Sequence, residues 1–279
     1  MRLAEPDGKR EPSPREFVDR HRPALERDEV RHNVLIAILN QLEANETMNA
    51  RRWTLGEPGA CAVQTPPYPI VLGELTQVQC HALAEQTREL DYPGLVGPDL
   101  TTKWFVERAI DFGIAFRDVI PERIHVLSGP PRYPGAPGRA RKTGAEDAAL
   151  LYDWTSAFMR EAVPQDRPPD RDQVAAMAAD GLSMLWVVDG APVSMARIAR
   201  QLKRTAAISA VYTPPALRGR GYAGSVTAAI AERVLAEGRS TACLYTDLRN
   251  PFSNRCYAKI GFRPACESLH IVRAAARAA

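Results

Sequence analysis

A proline pair, then an arginine and glycine loop, then a helical pattern set the course of the second half of this 279-residue chain. Ala207 to Thr213 has the composition of a strand, and Pro214-Pro215 ends it, since neither proline has an N–H to give to a ladder. Arg218-Gly219-Arg220-Gly221-Tyr222-Ala223 leads into a helix with Val226, Ile230 and Val234 on its apolar face, Ala223 and Ala229 alongside, and Gly238 placed to end it. A strand, a loop with glycines two apart and a helix start leave backbone N–H groups with no side chain over them, a geometry that binds anions. Arg218 and Arg220 add positive charge where the helix dipole is already positive, so a phosphate or pyrophosphate is the expected ligand.

Downstream, Thr241 to Asp247 reads as a second strand and Pro251 to Ile260 as a second helix. Asn250 suits its N-cap, Pro251 its first position and Gly261 its exit. Tyr257 lies on that helix. The arrangement Arg218-x-x-Gly221-x-Ala223, followed by Asn250, Tyr257 and Gly261-Phe262, resembles the GNAT N-acetyltransferase superfamily, over roughly Thr143 to Val272. The resemblance implies a mixed, mainly antiparallel α/β sheet flanked by helices, and an acetyl group passing from acetyl-CoA to a small-molecule or peptide amine by direct attack on the thioester. Arg218 to Ala223 would then hold the pyrophosphate, with Asn250 and Ser253 also touching the cofactor. The pantetheine would lie along Val211-Tyr212-Thr213, a backbone N–H near Tyr212 would face the oxyanion, and the Tyr257 hydroxyl would donate to the departing thiolate as general acid.

The general base departs from a common pattern of that family, because Ala207 to Thr213 carries no carboxylate. Asp247 and Glu161 are the remaining candidates, and a water chain would also serve. Asn250 is explained by its cap alone or by a cap with a cofactor contact. Two other functions fit parts of the pattern. A non-catalytic acyl-CoA sensor would keep the loop without the base. Gly219-x-Gly221-x-x-Gly224, with Asp247 further on, also fits a dinucleotide fingerprint, although the excursion from Pro214 to Gly219 is long for it and few residues follow Asp247 for a doubly wound sheet.

The rest of the chain divides at Ser128 to Gly138, where four prolines and three glycines exclude regular structure and mark a linker. The expected organisation is a disordered tail over residues 1–12, a first α/β domain over 13–127, the linker at 128–138 and the catalytic domain over 139–279. In the first domain Ser13 and Thr76 open helices with capping boxes, a longer helix is expected from about Arg27 to Glu43, and Asp99 to Gly113 forms another. In the second, Thr143 and Asp170 cap helices, and Asp189-Gly190 joins Leu182–Val188 to Ala191–Ile198 as a hairpin.

Thirty-six basic against 33 acidic side chains argue against a general nucleic-acid binder. Five cysteines without C-x-x-C spacing imply neither a disulfide framework nor a metal site, and the longest apolar runs are too short to span a bilayer. A cytoplasmic location is expected, and the oligomeric state is open, a homodimer included. Ala62-Val63-Gln64-Thr65-Pro66-Pro67 repeats Ala210-Val211-Tyr212-Thr213-Pro214-Pro215 with one change. The same offset carries Gly73 onto Gly221, Gly113 onto Gly261 and Ala109 onto Tyr257, and it makes the first half a degenerate copy of the second, without the cradle.

Overall fold

A computed structural model describes residues 13–133 and 135–274, so the expected tail at 1–12 lies outside the described residues. Two compact units emerge, one holding the chain up to Ile120 and again from Glu267, the other Pro121–Cys266.

The first unit begins with α1 (Pro14–Leu25) and α2 (Asn33–Ala44). Ser13 and Glu16 form the expected capping box. The single helix expected over Arg27 to Glu43 is instead interrupted: a 3-10 turn covers Glu26–Asp28, and the Asp28 carboxylate accepts from the Arg31 N–H at 3.1 Å. That local bond competes with the helical ladder and delays α2 until Asn33. The strands β1 (Arg51–Thr54), β2 (Cys61–Gln64) and β3 (Ile70–Leu72) follow, then α3 (Gln77–Thr87), β4 (Gly94–Pro98) and α4 (Asp99–Asp111). Glycines and flanking prolines hide β4 from a propensity reading, yet they are needed there. A Cβ on Gly94 would collide with the Ile271 carbonyl oxygen, and one on Gly97 would come within 2.8 Å of the Leu72 Cβ.

The strand β5 (Phe116–Leu127) starts in the first unit and ends in the second. The second unit continues with β6 (Arg139–Lys142), α5 (Ala148–Ala162), α6 (Arg171–Ala179), β7 (Ser183–Val188), β8 (Ala191–Gln201), β9 (Thr205–Tyr212), α7 (Tyr222–Ala236), β10 (Thr241–Asp247) and α8 (Pro251–Ile260). The strand β11 (Arg263–Arg273) returns the chain to the first unit. Asp189 and Gly190 make the expected hairpin with φ of 48° and 82°. Asp170 caps α6 as expected, whereas the turn after Thr143 is a short 3-10 segment in which Asp147, rather than Glu146, accepts the Gly144 N–H at 2.9 Å.

In the first unit the strands lie in the order β1-β2-β3-β4-β11, and in the second β5-β10-β9-β8-β7-β6. Pairing is antiparallel except for β3 with β4 and β9 with β10. The late part of β5 therefore serves the second unit by pairing with β10, and the late part of β11 serves the first by pairing with β4. The chain thus crosses between units at Ile120 and at Cys266, not at the proline-rich linker, which runs within the second unit.

Burial follows from these pairings. One face of the second sheet packs Ile198, Ile208 and Leu244 under Val226, Ile230 and Val234 of α7 and Tyr257 and Ile260 of α8. The other packs Leu185, Met195 and Tyr212 against Leu151 of α5 and Val174 of α6. Among the described residues no helix is long and apolar enough to cross a membrane.

Candidate active site

The parallel ladder between β9 and β10 runs from Thr205↔Thr241 to Ile208↔Leu244 and stops, although β9 continues to Tyr212 and β10 to Asp247. Ala210, just beyond the last pair, has φ of 50°, a left-handed conformation costly for a residue with a Cβ. The two strands therefore part around this kink, and beyond Ile208 the β10-facing edge of β9 has no ladder partner, while Ser209 and Tyr212 still pair with β8 on the other side. A strand-like ligand fits such an opening.

The wedge leads to the glycine loop. Gly219 and Gly221 have φ of 77° and 84°, and a Cβ on Gly219 would meet nothing within 4 Å. Gly221 is the N-cap of α7 and has no side chain to cap it. None of the backbone N–H groups of Gly219 to Ala223 finds an acceptor among the described residues. Uncovered donors at the positive end of a 15-residue helix fit a pyrophosphate.

The two loop arginines differ. Arg220 is exposed. Arg218 folds back, donating from Nε to the Thr213 carbonyl at 2.9 Å, pairing with Glu161 at 2.6 Å and lying 5.6 Å from the Tyr212 ring centroid. It braces the end of β9 against α5. Tyr222 and Ala223 open α7, and Val211 and Thr213 flank Tyr212 at the mouth of the wedge.

On α8, the Asn250 side-chain oxygen accepts the N–H groups of Phe252 and Ser253, both at 3.2 Å, and Ser253 Oγ donates to the Asn250 carbonyl at 3.2 Å. The cap is complete within the helix. Tyr257 is buried with its ring edge-on to Phe262 at 6.1 Å, and burial, with Cys256 beside it, pushes the phenol above its ordinary pKa. It remains a neutral donor.

Neither carboxylate expected as a base stands free. Arg249 grips both oxygens of Asp247 at 2.9 to 3.1 Å, and Glu161 holds Arg218. The structure brings up a third that the sequence concealed. Glu122 on β5 lies directly opposite Asp247 in the β5/β10 ladder. Burial, reinforced by Asp166 and Asp247 and opposed by Arg200, pushes its carboxyl up to about 7. No local motif marks Glu122, because its partner strand lies more than a hundred residues away in the chain.

The linker also reaches this site. The Tyr133 hydroxyl donates to the Gly221 carbonyl at 3.1 Å, the Ala136 N–H to Ser225 Oγ at 2.7 Å and the Arg132 N–H to the Ile260 carbonyl at 2.8 Å. A Cβ on Gly224 would sit 2.5 Å from the Tyr133 Oη. Gly224 is thus explained by the tyrosine against it rather than by a dinucleotide turn. The mainly antiparallel pairing likewise departs from the doubly wound sheet that the dinucleotide reading requires.

Comparison with known proteins agrees with this geometry. The family model described as FR47-like protein matches residues 186–271, the segment from β7 to β11 that contains the wedge and the loop. A GCN5-related N-acetyltransferase from Kribbella flavida is similar in structure, with a TM-score of 0.61 at 15% identity over 88% of this chain and 96% of that one. The chain has the GNAT fold. A Drosophila protein solved by a structural-genomics consortium gives a TM-score of 0.66 at 14% identity, covering 94% of this chain and 95% of its own. A tandem GNAT protein from the clavulanic acid biosynthesis pathway gives 0.50 at 13% identity, over 82% and 85%. No curated protein matches the chain.

The first unit of the chain repeats the parallel strand–helix–strand step without the cradle. There β3 pairs parallel with β4, as β9 does with β10, and leads into α3. The counterpart of β9 is accordingly β3. The segment Ala62 to Pro67 instead runs along and just past β2, which corrects the correspondence expected from the six-residue repeat. The turn from β3 into α3 is short and internally satisfied: Gly73 N–H donates to the Cys61 carbonyl at 2.9 Å, Leu75 N–H to Thr101 Oγ1 at 3.2 Å and Thr76 N–H to Gln79 Oε1 at 2.9 Å.

Proposed function

We propose that this protein is an acetyl-CoA-dependent N-acetyltransferase working in its second unit on a small-molecule or peptide primary amine. The observation that carries the reading is the row of unpartnered N–H groups from Gly219 to Ala223 beside the parted ends of β9 and β10. The loop and the α7 N-terminus hold the pyrophosphate, and the free edge of β9 at Val211 to Thr213 takes the pantetheine amides as an added strand would. The bound acetyl-CoA supplies a thioester carbonyl.

Attack by the neutral amine forms the N–C bond, and the C–S bond breaks as the tetrahedral intermediate collapses. A β9 backbone N–H near the Ala210 kink stabilises the oxyanion, and the buried, neutral Tyr257 hydroxyl donates to the departing thiolate. Asn250 and Ser253 shape the α8 start beside the cofactor through their cap. Incubation with acetyl-labelled acetyl-CoA and a cell extract tests the reading. Label should move onto an amine-bearing metabolite or peptide. Tight acetyl-CoA binding with no transfer would replace turnover with sensing, and no binding would remove both.

A further inference from the structure

Resting on the acetyltransferase reading, we propose that Glu122 is the catalytic base, taking the proton that the acceptor amine loses as its nitrogen bonds to the acetyl carbon. Residues directly opposite on antiparallel strands point to the same face, and alternation along β5 and β10 puts Glu122, Ile124, Tyr245 and Asp247 on one face together. Leu127 and His125 share the other face with Ala242 and Leu244, toward α7, α8 and Tyr257. Glu122 and Tyr257 therefore lie on opposite faces of the sheet, Glu122 across from the last residue of β10, the strand that forms one side of the wedge. A base on one side and a donor on the other suit a reaction in which amine and thiolate lie on opposite sides of the carbonyl carbon.

Charges from three elements act on the Glu122 carboxyl. Asp166 acts from the α5–α6 loop, Asp247 from β10 and Arg200 from β8, with the Arg200 guanidinium 5.5 Å from the Tyr245 ring centroid. Asp247 is itself partly neutralised by Arg249. Burial, reinforced by the nearby acids, resists ionisation of Glu122 and thereby makes it a proton acceptor suited to neutral pH, while Asp247 and Glu161 are engaged by arginines. The balance is complete: Glu122 gains the amine proton, the N–C bond forms, the C–S bond breaks, and the thiolate leaves while accepting a hydrogen bond from the neutral Tyr257 hydroxyl.

The test is the pH dependence of kcat/KM for a panel of primary amines, followed by release of the CoA thiol. Wild type should show an acidic limb near pH 7. Glu122→Gln should lose that limb and about 10²- to 10⁴-fold in rate at pH 7, with unchanged acetyl-CoA affinity, and Glu122→Asp should recover part of the rate. Asp166→Asn should move the limb to lower pH, and it decides the matter if Glu122→Gln does not fold. A wild-type profile in Glu122→Gln, or a limb unmoved by Asp166→Asn, would overturn the role while leaving the acetyltransferase reading intact. Acetyl-CoA binding without transfer to any amine would overturn that reading, and this role with it.

Discussion

At the scale of single residues, two buried titrating groups carry separable predictions. Tyr257→Phe removes one hydroxyl from a packed ring. It should lower kcat by about ten- to a thousandfold with little change in acetyl-CoA affinity, measured by steady-state kinetics beside calorimetry. Glu122 makes a prediction about stability as well. Its folded-state pKa, about 7, lies above the unfolded value of 4.5, so the folded state holds the proton more tightly. Stability present below about pH 4.5 is lost as the pH rises toward 7 and stays lost above it. Glu122→Gln should therefore be more stable than wild type at pH 8, by up to about 3 kcal/mol at roughly 1.4 kcal/mol per pH unit, and denaturant melts of the two should converge near pH 4.5. Equal stability at pH 8 would show that Glu122 does not resist ionisation. Tyr257 is legible in the sequence from its place between Asn250 and Gly261, but Glu122 is not, since only a non-local ladder gives it its neighbours.

Among the elements, the loop before α7 and the linker behind it behave as one assembly. The sequence shows the loop plainly, because Pro214-Pro215, two glycines and a helical pattern each constrain the backbone locally. It cannot show that the linker packs there. Composition marks residues 128–138 as irregular, but it is Tyr133 against Gly221 and Gly224, with the backbone bonds of Arg132 and Ala136, that places them. Gly224→Ala should destabilise the second unit by about 1–3 kcal/mol, since the added methyl enters the space of the Tyr133 ring and that ring is held by its flanking bonds. In the double variant with Tyr133→Ala the methyl should cost much less, a coupling readable from a double-mutant cycle in urea. Additive costs would mean that the glycine serves something other than the tyrosine. The same limit of local reading applies to β4, whose glycines are required by Ile271 and Leu72 from distant parts of the chain.

In the molecule as a whole, two units share a parallel strand–helix–strand step and differ at the turn within it. The second keeps a long loop between strand and helix with open N–H groups. The first has a short turn whose donors are taken by Cys61, Thr101 and Gln79. The acetyltransferase reading therefore predicts one acetyl-CoA per chain. The chain crossings matter for dissecting this arrangement, because a fragment starting at the linker would remove the part of β5 that pairs with β10, and with it Glu122. The six-residue repeat aligns strands that do not correspond, whereas the parallel β3/β4 and β9/β10 pairs do. Calorimetric titration of the full chain with acetyl-CoA tests the central claim most directly. One site per chain, lost in a Gly221→Glu variant that still melts cooperatively, is the predicted result, because the new carboxylate would stand against the pyrophosphate at the cradle. Two sites per chain, or undiminished affinity in that folded variant, would contradict it.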